Sequence, residues 1–121
     1  MKPIALQTLA DFADGKLNGP AAAQSRLVTQ VTTDSRKVTE GDVFVALSGD
    51  KFDAHNFIPQ VMAAGAAAVV VSRVDPSWPT TDCAVIEVSD TLLGLQNMAR
   101  GYRAWHQPLV IGLTGSIFMN Y

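Results

Sequence analysis

The spacing of apolar positions changes along the chain, and each change predicts a new element of secondary structure. Apolar residues recur at helical spacing over residues 6–13, and Gly15 follows them as a natural helix stop. Residues 16–25 carry no such spacing and are predicted to form a loop. The apolar and β-branched residues from Leu27 onward then predict a strand that ends near Asp34.

The middle of the chain contains two apolar runs separated by a predicted helix. Residues 43–47 read Val-Phe-Val-Ala-Leu, which is typical of a strand covered on both faces. The small and β-branched residues of 67–72 predict another strand. Between the two runs, an apolar stripe over 55–64 predicts a helix that Gly65 ends. Pro59 is tolerated in that helix only if it lies in the first turn.

The last third of the chain repeats this alternation. Two prolines in residues 74–82 predict a surface loop, and residues 84–88 predict a strand. Asp90 is placed to cap a long amphipathic helix, and residues 109–113 predict a final strand. Alternating strands and helices predict an α/β fold, with a small mixed, partly parallel sheet flanked by helices.

Composition and charge exclude several classes of protein. The chain has 121 residues, of which 48% are hydrophobic and 17% charged, as expected for a single folded domain. The formal net charge is −2 and the longest basic run is two residues, so no nucleic-acid partner is expected. The longest apolar run, 63–71, has about half the length of a membrane span. Since no signal-peptide pattern opens the chain, we expect a cytoplasmic monomer without a membrane partner.

Cysteine and histidine usage excludes further chemistry. Cys83 is the only cysteine, so the chain forms no intrachain disulfide and no cysteine zinc cluster. It lies in the apolar run Cys-Ala-Val-Ile and is expected to be a buried, inert thiol. The two histidines have no metal-ligand spacing, and no Gly-x-Ser-x-Gly motif occurs. We therefore assign neither a catalytic residue nor a metal site to this chain.

The first segment with candidate binding chemistry, residues 32–37, lies at the end of a predicted strand. Ligands of α/β sheets bind beyond strand ends, where the hydroxyls of Thr33 and Ser35 suit phosphate oxygens or a base edge. Arg36 has the geometry to bind a phosphate through two hydrogen bonds. The alternative is a strand-to-turn junction in which Asp34 and Ser35 only satisfy local backbone groups.

The second segment is the glycine-containing loop of residues 48–55, between a predicted strand and a predicted helix. This position suits an anion bound at a helix N-terminus, and Lys51 adds positive charge. The alternative is a turn in which Asp53 caps the helix. Because no nucleophile lies nearby in the sequence, His55 is predicted to be a structural hydrogen-bonding residue rather than a general base.

The third segment, residues 110–116, reads Val-Ile-Gly-Leu-Thr-Gly-Ser, an apolar strand that enters a glycine turn. A phosphate-binding loop begins in this way, but it continues with a glycine, a lysine and a hydroxyl residue. Phe118, Met119 and Asn120 occupy those positions here. Triphosphate binding is therefore expected to be weak or absent, and the alternative is a plain strand followed by a turn.

In their order and spacing, these segments resemble the N-terminal part of a Mur ligase, a family of ATP-dependent enzymes that form amide bonds in peptidoglycan synthesis. The resemblance covers residues 15–116 and is carried by the segments 33–37, 41–49, 52–58, 63–66 and 112–116. Asp53-Ala54-His55 followed by Phe57, together with Thr-Gly-Ser, favours the member that joins D-alanyl-D-alanine to UDP-N-acetylmuramoyl-tripeptide. The alternative is the member that adds the third amino acid.

The resemblance implies the fold of Mur ligase N-terminal domains and a division of labour along the chain. Residues 1–107 would bind the UDP-N-acetylmuramoyl-peptide, and residues 108–121 would begin the central domain that binds ATP and Mg²⁺. In the family, ATP phosphorylates the substrate carboxylate and an amine attacks the acyl phosphate. The substrate-binding residues implied are Thr33, Ser35, Arg36, Gly49, Asp50, Lys51 and Phe52. The implied residues of the truncated ATP loop are Thr114, Gly115 and Ser116.

The departures at the C-terminal end bear on what this chain can do by itself. Residues 117–121 resemble a foreign ending rather than the family's loop, so the chain is expected to stop where the ATP loop begins. We then expect poor binding of ATP and Mg²⁺, and no ligation. Two further alternatives are a non-catalytic remnant that binds a UDP-sugar and an orphaned α/β fold without a ligand.

Overall fold

Three α-helices and nine short strands make up the regular structure of the described part of the chain. The computed structural model describes residues 2–79, 82–106, 110–111 and 117–118. Its α-helices are α1 (Leu6–Phe12), α2 (Ile58–Ala63) and α3 (Thr91–His106). Short 3₁₀ turns span Ala21–Ser25, Ser35–Lys37 and Ala54–Phe57. The strands are β1 (Ile4–Ala5), β2 (Lys16–Asn18), β3 (Leu27–Val28), β4 (Val31–Thr32), β5 (Val43–Val45), β6 (Ala68–Val71), β7 (Ala84–Glu87), β8 (Val110–Ile111) and β9 (Ile117–Phe118).

The central sheet has five strands in the order β2, β7, β6, β5, β4. Strands β4 to β7 are parallel to one another, whereas β2 runs antiparallel to β7. Two smaller antiparallel pairs join β1 to β3 and β8 to β9. The sheet is thus mixed and mostly parallel, which confirms the predicted fold class.

Both faces of the sheet are covered, as the continuous apolar run of β5 predicts. All three residues of β5 are 0% exposed, and their side chains alternate between two hydrophobic clusters. Val43 and Val45 pack in the cluster that contains α1 residues and Met98 of α3. Phe44 packs on the other face with Ile58 of α2. The helices therefore flank the sheet on both sides.

The helix ends follow the predicted signals. Pro59 lies in the first turn of α2, and Gly65 lies beyond its end with a φ of 92°, a conformation that favours glycine. At the start of α3, the amide of Leu93 donates to Oδ1 of Asp90 at 3.1 Å, which confirms the predicted cap. The predicted helix 55–64 differs in its first turn, which is 3₁₀.

Two predictions about the N-terminal third are wrong. Residues 16–25 are not a loop throughout, because Leu17 and its neighbours form β2 against Ile86 of β7. The single strand predicted from Leu27 is divided into β3 and β4, which belong to different sheets. In both cases the pairing partner lies far away in the sequence, so the local pattern does not reveal it.

Candidate functional site

A cleft of about 570 Å³ opens beside the carboxyl ends of β4 and β5. Its position agrees with the general tendency of α/β sheets to bind ligands beyond their strand ends. One wall is the segment that follows β4, and the other is formed by residues after β5 and by the start of α2. The lining residues are Thr33, Asp34, Ser35, Arg36, Phe44, Phe52, Ala54, Phe57 and Gln60.

The cleft brings together parts of the two segments that the sequence singles out. Thr33, Ser35 and Arg36 line it from the first segment, and Phe52 lines it from the second. The exposed residues 49–51, Gly-Asp-Lys, are not among the lining residues in the described part of the chain. Thr114, Gly115 and Ser116 of the third segment lie outside the described residues.

Sequence reasoning missed several residues of the cleft. The sequence predicts Phe44 only as a core residue, and it is indeed fully buried, but it lies at the base of the cleft. Phe57 and Gln60 lie three residues apart, at the spacing that places two side chains on one side of a helix. That spacing is the signal in the sequence that could have identified both residues, because it places the polar amide of Gln60 beside the apolar stripe of the predicted helix.

Asp34 organises the first wall. Its Oδ1 accepts hydrogen bonds from the amide of Arg36 at 2.9 Å and from Arg36 Nε at 3.0 Å, and its Oδ2 accepts from Nη2 at 3.1 Å. The amide of Asp34 in turn donates to Thr32 Oγ1 at 3.1 Å. These hydrogen bonds from Arg36 hold the pKa of the Asp34 carboxyl below its ordinary value. Asp34 therefore satisfies a local backbone amide, as the strand-to-turn alternative for this segment predicts.

The same ion pair changes how Arg36 can bind an anion. The Nε and Nη2 edge of the guanidinium, one of its two edges suited to a bidentate phosphate contact, already faces Asp34. The Arg36 side chain is 84% exposed. A bound anion would thus meet the remaining N–H groups of Arg36, on a guanidinium that Asp34 holds in place.

Phe52 forms the second wall from the end of a tight loop. The amide of Gly49 donates to the carbonyl of Phe52 at 2.6 Å, and Ser48 pairs with Asp53 in an antiparallel bridge. The Phe52 ring is 56% exposed and lies against the ring of Phe57, with a centroid distance of 5.8 Å. Two adjacent rings offer an apolar surface suited to the flat face of a base.

His55 is a buried structural residue next to this wall. It is 2% exposed, its Nδ1 lies 2.7 Å from Asp53 Oδ1, and its Nε2 accepts from the amide of Ser72 at 3.0 Å. This network assigns the proton to Nδ1 of a neutral ring. Although Ser72 Oγ lies 3.3 Å from Nε2, the lone pair there is already used. The three residues therefore do not form a serine-hydrolase triad, and the structural role predicted for His55 is confirmed.

Asp53 connects His55 to a second charged residue. Its Oδ1 also accepts from the amide of His55 at 2.9 Å, as a helix-capping side chain does, and its Oδ2 accepts from Arg73 Nη1 at 2.9 Å. Partial burial favours a higher pKa for Asp53. The hydrogen bonds from His55 and the charge of Arg73 outweigh it and hold the pKa below its ordinary value.

Other chemistry is not supported in the described part of the chain. Among these residues no cluster of three or more histidine, cysteine or acidic side chains is suited to a metal ion. None of the described helices combines the length and apolar character needed to span a bilayer. Cys83 is buried, as predicted, and its burial raises the pKa of the thiol to about 11.

The chain matches the model of the Mur ligase family, catalytic domain, over residues 27–103. It belongs to the Mur ligase family, and the resemblance predicted from its sequence is confirmed. Several of the relatives to which the chain is similar are MurF enzymes. The chain is 39% identical over 111 residues to UDP-N-acetylmuramoyl-tripeptide--D-alanyl-D-alanine ligase of Bacillus subtilis, covering 92% of this chain and 24% of the relative. The enzyme of the same name from Escherichia coli is also 39% identical, covering 96% of this chain and 24% of the relative.

Solved structures agree with these relatives. MurF from Acinetobacter baumannii matches with a TM-score of 0.73 and 31% identity, covering 87% of this chain and 22% of that one. MurF from Thermotoga maritima, solved in complex with ADP, matches with a TM-score of 0.54 and 30% identity, covering 64% of this chain and 17% of that one.

A related ligase with a different printed substrate also matches. The UDP-N-acetylmuramoyl-L-alanyl-D-glutamate--2,6-diaminopimelate ligase of Cytophaga hutchinsonii is 36% identical, covering 74% of this chain and 19% of that enzyme. Together with the MurF relatives, this match shows that the chain spans about a quarter or less of the relatives' length.

Proposed function

We propose that this chain is the part of a cytoplasmic ATP-dependent Mur ligase that binds the UDP end of UDP-N-acetylmuramoyl-tripeptide. The whole enzyme would then add D-alanyl-D-alanine to that substrate, as the names of the MurF relatives state. The observation that carries the proposal is the cleft, in which Ser35 and Arg36 lie opposite Phe52, as the family resemblance requires. By the same resemblance, residues 1–107 are the substrate domain and 108–121 the start of the central domain.

The chemistry of the two walls suits a nucleoside diphosphate. The rings of Phe52 and Phe57 offer a stacking surface for uracil. The hydroxyls of Thr33 and Ser35 and the free N–H groups of Arg36 offer donors to phosphate oxygens. Gly49, Asp50 and Lys51 precede Phe52 on the exposed loop, and we propose that they contact the part of the ligand that extends out of the cleft.

The sequence of residues 114–120 does not fit the phosphate-binding loop that would hold ATP and Mg²⁺. A phosphate loop leads from a strand into a helix, whereas Val110 of β8 pairs antiparallel with Phe118 of β9. The glycine, lysine and hydroxyl that the loop requires are Phe118, Met119 and Asn120 here. We therefore expect the 121-residue chain to form no amide bond when given ATP, Mg²⁺ and both substrates.

Isothermal titration of the chain with UDP-N-acetylmuramoyl-tripeptide tests the proposed binding. Saturable binding is expected, and competition by UDP but not by the muramoyl-tripeptide without UDP would locate it at the UDP end. The corresponding UDP-dipeptide should bind equally well, because the cleft would hold the nucleotide end that both ligands share. Absence of any heat of binding over a wide concentration range would support the orphaned fold instead.

A further inference from the structure

The wall of the cleft that carries Phe52 has few anchors of its own. The Phe52 side chain is more than half exposed, and a Cβ added at Gly49, at the other side of the loop, would meet no atom within 4 Å. The rings of Phe52 and Phe57 touch, but Phe57 is itself only partly buried. The position of Phe52 therefore depends on the backbone of its loop, in which the Gly49 amide holds the Phe52 carbonyl, and on how the residues after Phe52 fix that loop to the rest of the protein.

That backbone is tied to the end of β6 by two adjacent connections. Asp53, the residue after Phe52, accepts from Arg73 through Oδ2 at 2.9 Å. His55, held by Oδ1 of the same carboxylate, accepts from the amide of Ser72. The two oxygens of the Asp53 carboxylate thus have different partners, since Oδ1 contacts the buried ring of His55 and Oδ2 contacts the half-exposed Arg73.

We propose that Arg73 is a positioning residue, which fixes Phe52 in the wall of the cleft by fixing the Asp53 carboxylate. Arg73 is not among the lining residues in the described part of the chain, so it acts without touching the ligand. For its effect on ligand binding, the inference rests on the proposed function. The effect of Arg73 on the order of the loop does not depend on the proposed function, so the effect on the loop and the effect on binding can be tested separately.

The first test needs no ligand. In the Arg73→Met variant, the loop around Phe52 should gain motion on the picosecond-to-nanosecond timescale, and the cross-peaks between the Phe52 and Phe57 rings should weaken in nuclear magnetic resonance spectra. Arg73→Lys should restore part of this order, because the ammonium group keeps the charge. Arg100→Met is the matched control on the exposed side of α3 and should leave the Phe52 signals unchanged. Superimposable Phe52 signals in Arg73→Met and the wild type would overturn the inference.

The second test is a double-mutant cycle on the affinity for UDP-N-acetylmuramoyl-tripeptide. Arg73→Met should weaken binding by about three- to fivefold, in the upper part of the range for a partly exposed ion pair. In a Phe52→Ala background the same substitution should change the affinity little, because the residue it positions is gone. An equal loss in both backgrounds would contradict action through Phe52. If the wild type does not bind, the proposed function fails, while the spectroscopic test still decides the role of Arg73.

Discussion

Asp34 binds Arg36 through both carboxylate oxygens, at 3.0 Å and 3.1 Å, on the wall of the candidate cleft. The two residues are separated by only Ser35, so the 3₁₀ turn that Asp34 caps also holds the guanidinium at the cleft. Because the Arg36 side chain remains largely exposed, an entering anion can reach it without opening the protein.

Replacing Arg36 tests whether it contacts the ligand. Arg36→Gln should lower the affinity for UDP-N-acetylmuramoyl-tripeptide by about tenfold, since a charge-assisted hydrogen bond to phosphate is lost. Its thermal unfolding should change little. Titration calorimetry measures the effect, and Arg100→Gln on α3 is the matched control for removing one exposed guanidinium. Equal affinities for the wild type and Arg36→Gln would remove Arg36 from the proposed site.

Gly101 of α3 is required for the contact with α1. A Cβ at this position would lie 2.4 Å from Cγ of Phe12, so Gly101→Ala would force the ring to move. We expect overpacking to cost about 1–3 kcal/mol, partly offset by about 1 kcal/mol from the better helix propensity of alanine. Urea unfolding measures the net loss.

Two further variants separate overpacking from a general effect of glycine replacement. Gly49→Ala meets no atom within 4 Å, and its free energy of unfolding should stay within about 0.5 kcal/mol of the wild type. Phe12→Ala combined with Gly101→Ala should lose less stability than the two single losses added together. Strict additivity would show that the Phe12 ring is not the obstacle.

The hydrogen bond by which Asp90 caps α3 should contribute measurably to the free energy of unfolding. Asp90→Ala removes the side-chain acceptor for the amide of Leu93 and should lower the free energy of unfolding by about 1 kcal/mol. Asp90→Asn retains an acceptor oxygen and should lose less. Chemical denaturation followed by circular dichroism compares the three proteins. A loss in Asp90→Asn as large as in Asp90→Ala would argue against the cap.

Burial should make Cys83 unreactive in the native protein. With a thiol pKa of about 11, only a small fraction is thiolate at pH 8, about one part in a thousand. Labelling by a thiol reagent at that pH should be slow, faster towards pH 10, and rapid after unfolding in urea. Cys83→Ala provides the blank. Rapid stoichiometric labelling of the folded chain at pH 8 would show that the thiol is accessible.

The sequence predicted the elements whose signals are local. The apolar run of 43–47, the stop at Gly65 and the cap at Asp90 each act within a few residues, and the structure has all three. Strand β2 depends instead on its pairing with β7. Local spacing contains no information about that partner, so it predicts a loop for this region.

For the candidate site, too, the sequence predicts the local segments but not the contacts between residues that lie far apart in the chain. Ser35 and Phe52 come from two segments that the sequence marks as turns after strands, and parallel neighbouring strands bring such turns to one edge. The tie between Asp53 and Arg73 was not predictable, because it joins the loop to the end of another strand. Gly49 is predicted as a site residue from its loop position and from the resemblance, and it is not among the lining residues in the described part of the chain.

The antiparallel pairing of β2 with β7 has a practical consequence for where this protein can be cut. The family model matches only from residue 27, which would suggest that an expression boundary at Leu27 keeps the matched unit intact. Such a shortened protein would lack β2 and leave the edge of β7 open beside the buried residues Ala84 and Ile86. An open apolar edge recruits strands from other molecules. A start site chosen from the bounds of the family model alone is therefore expected to favour inclusion bodies over soluble protein, whereas the MurF relatives match nearly the whole chain.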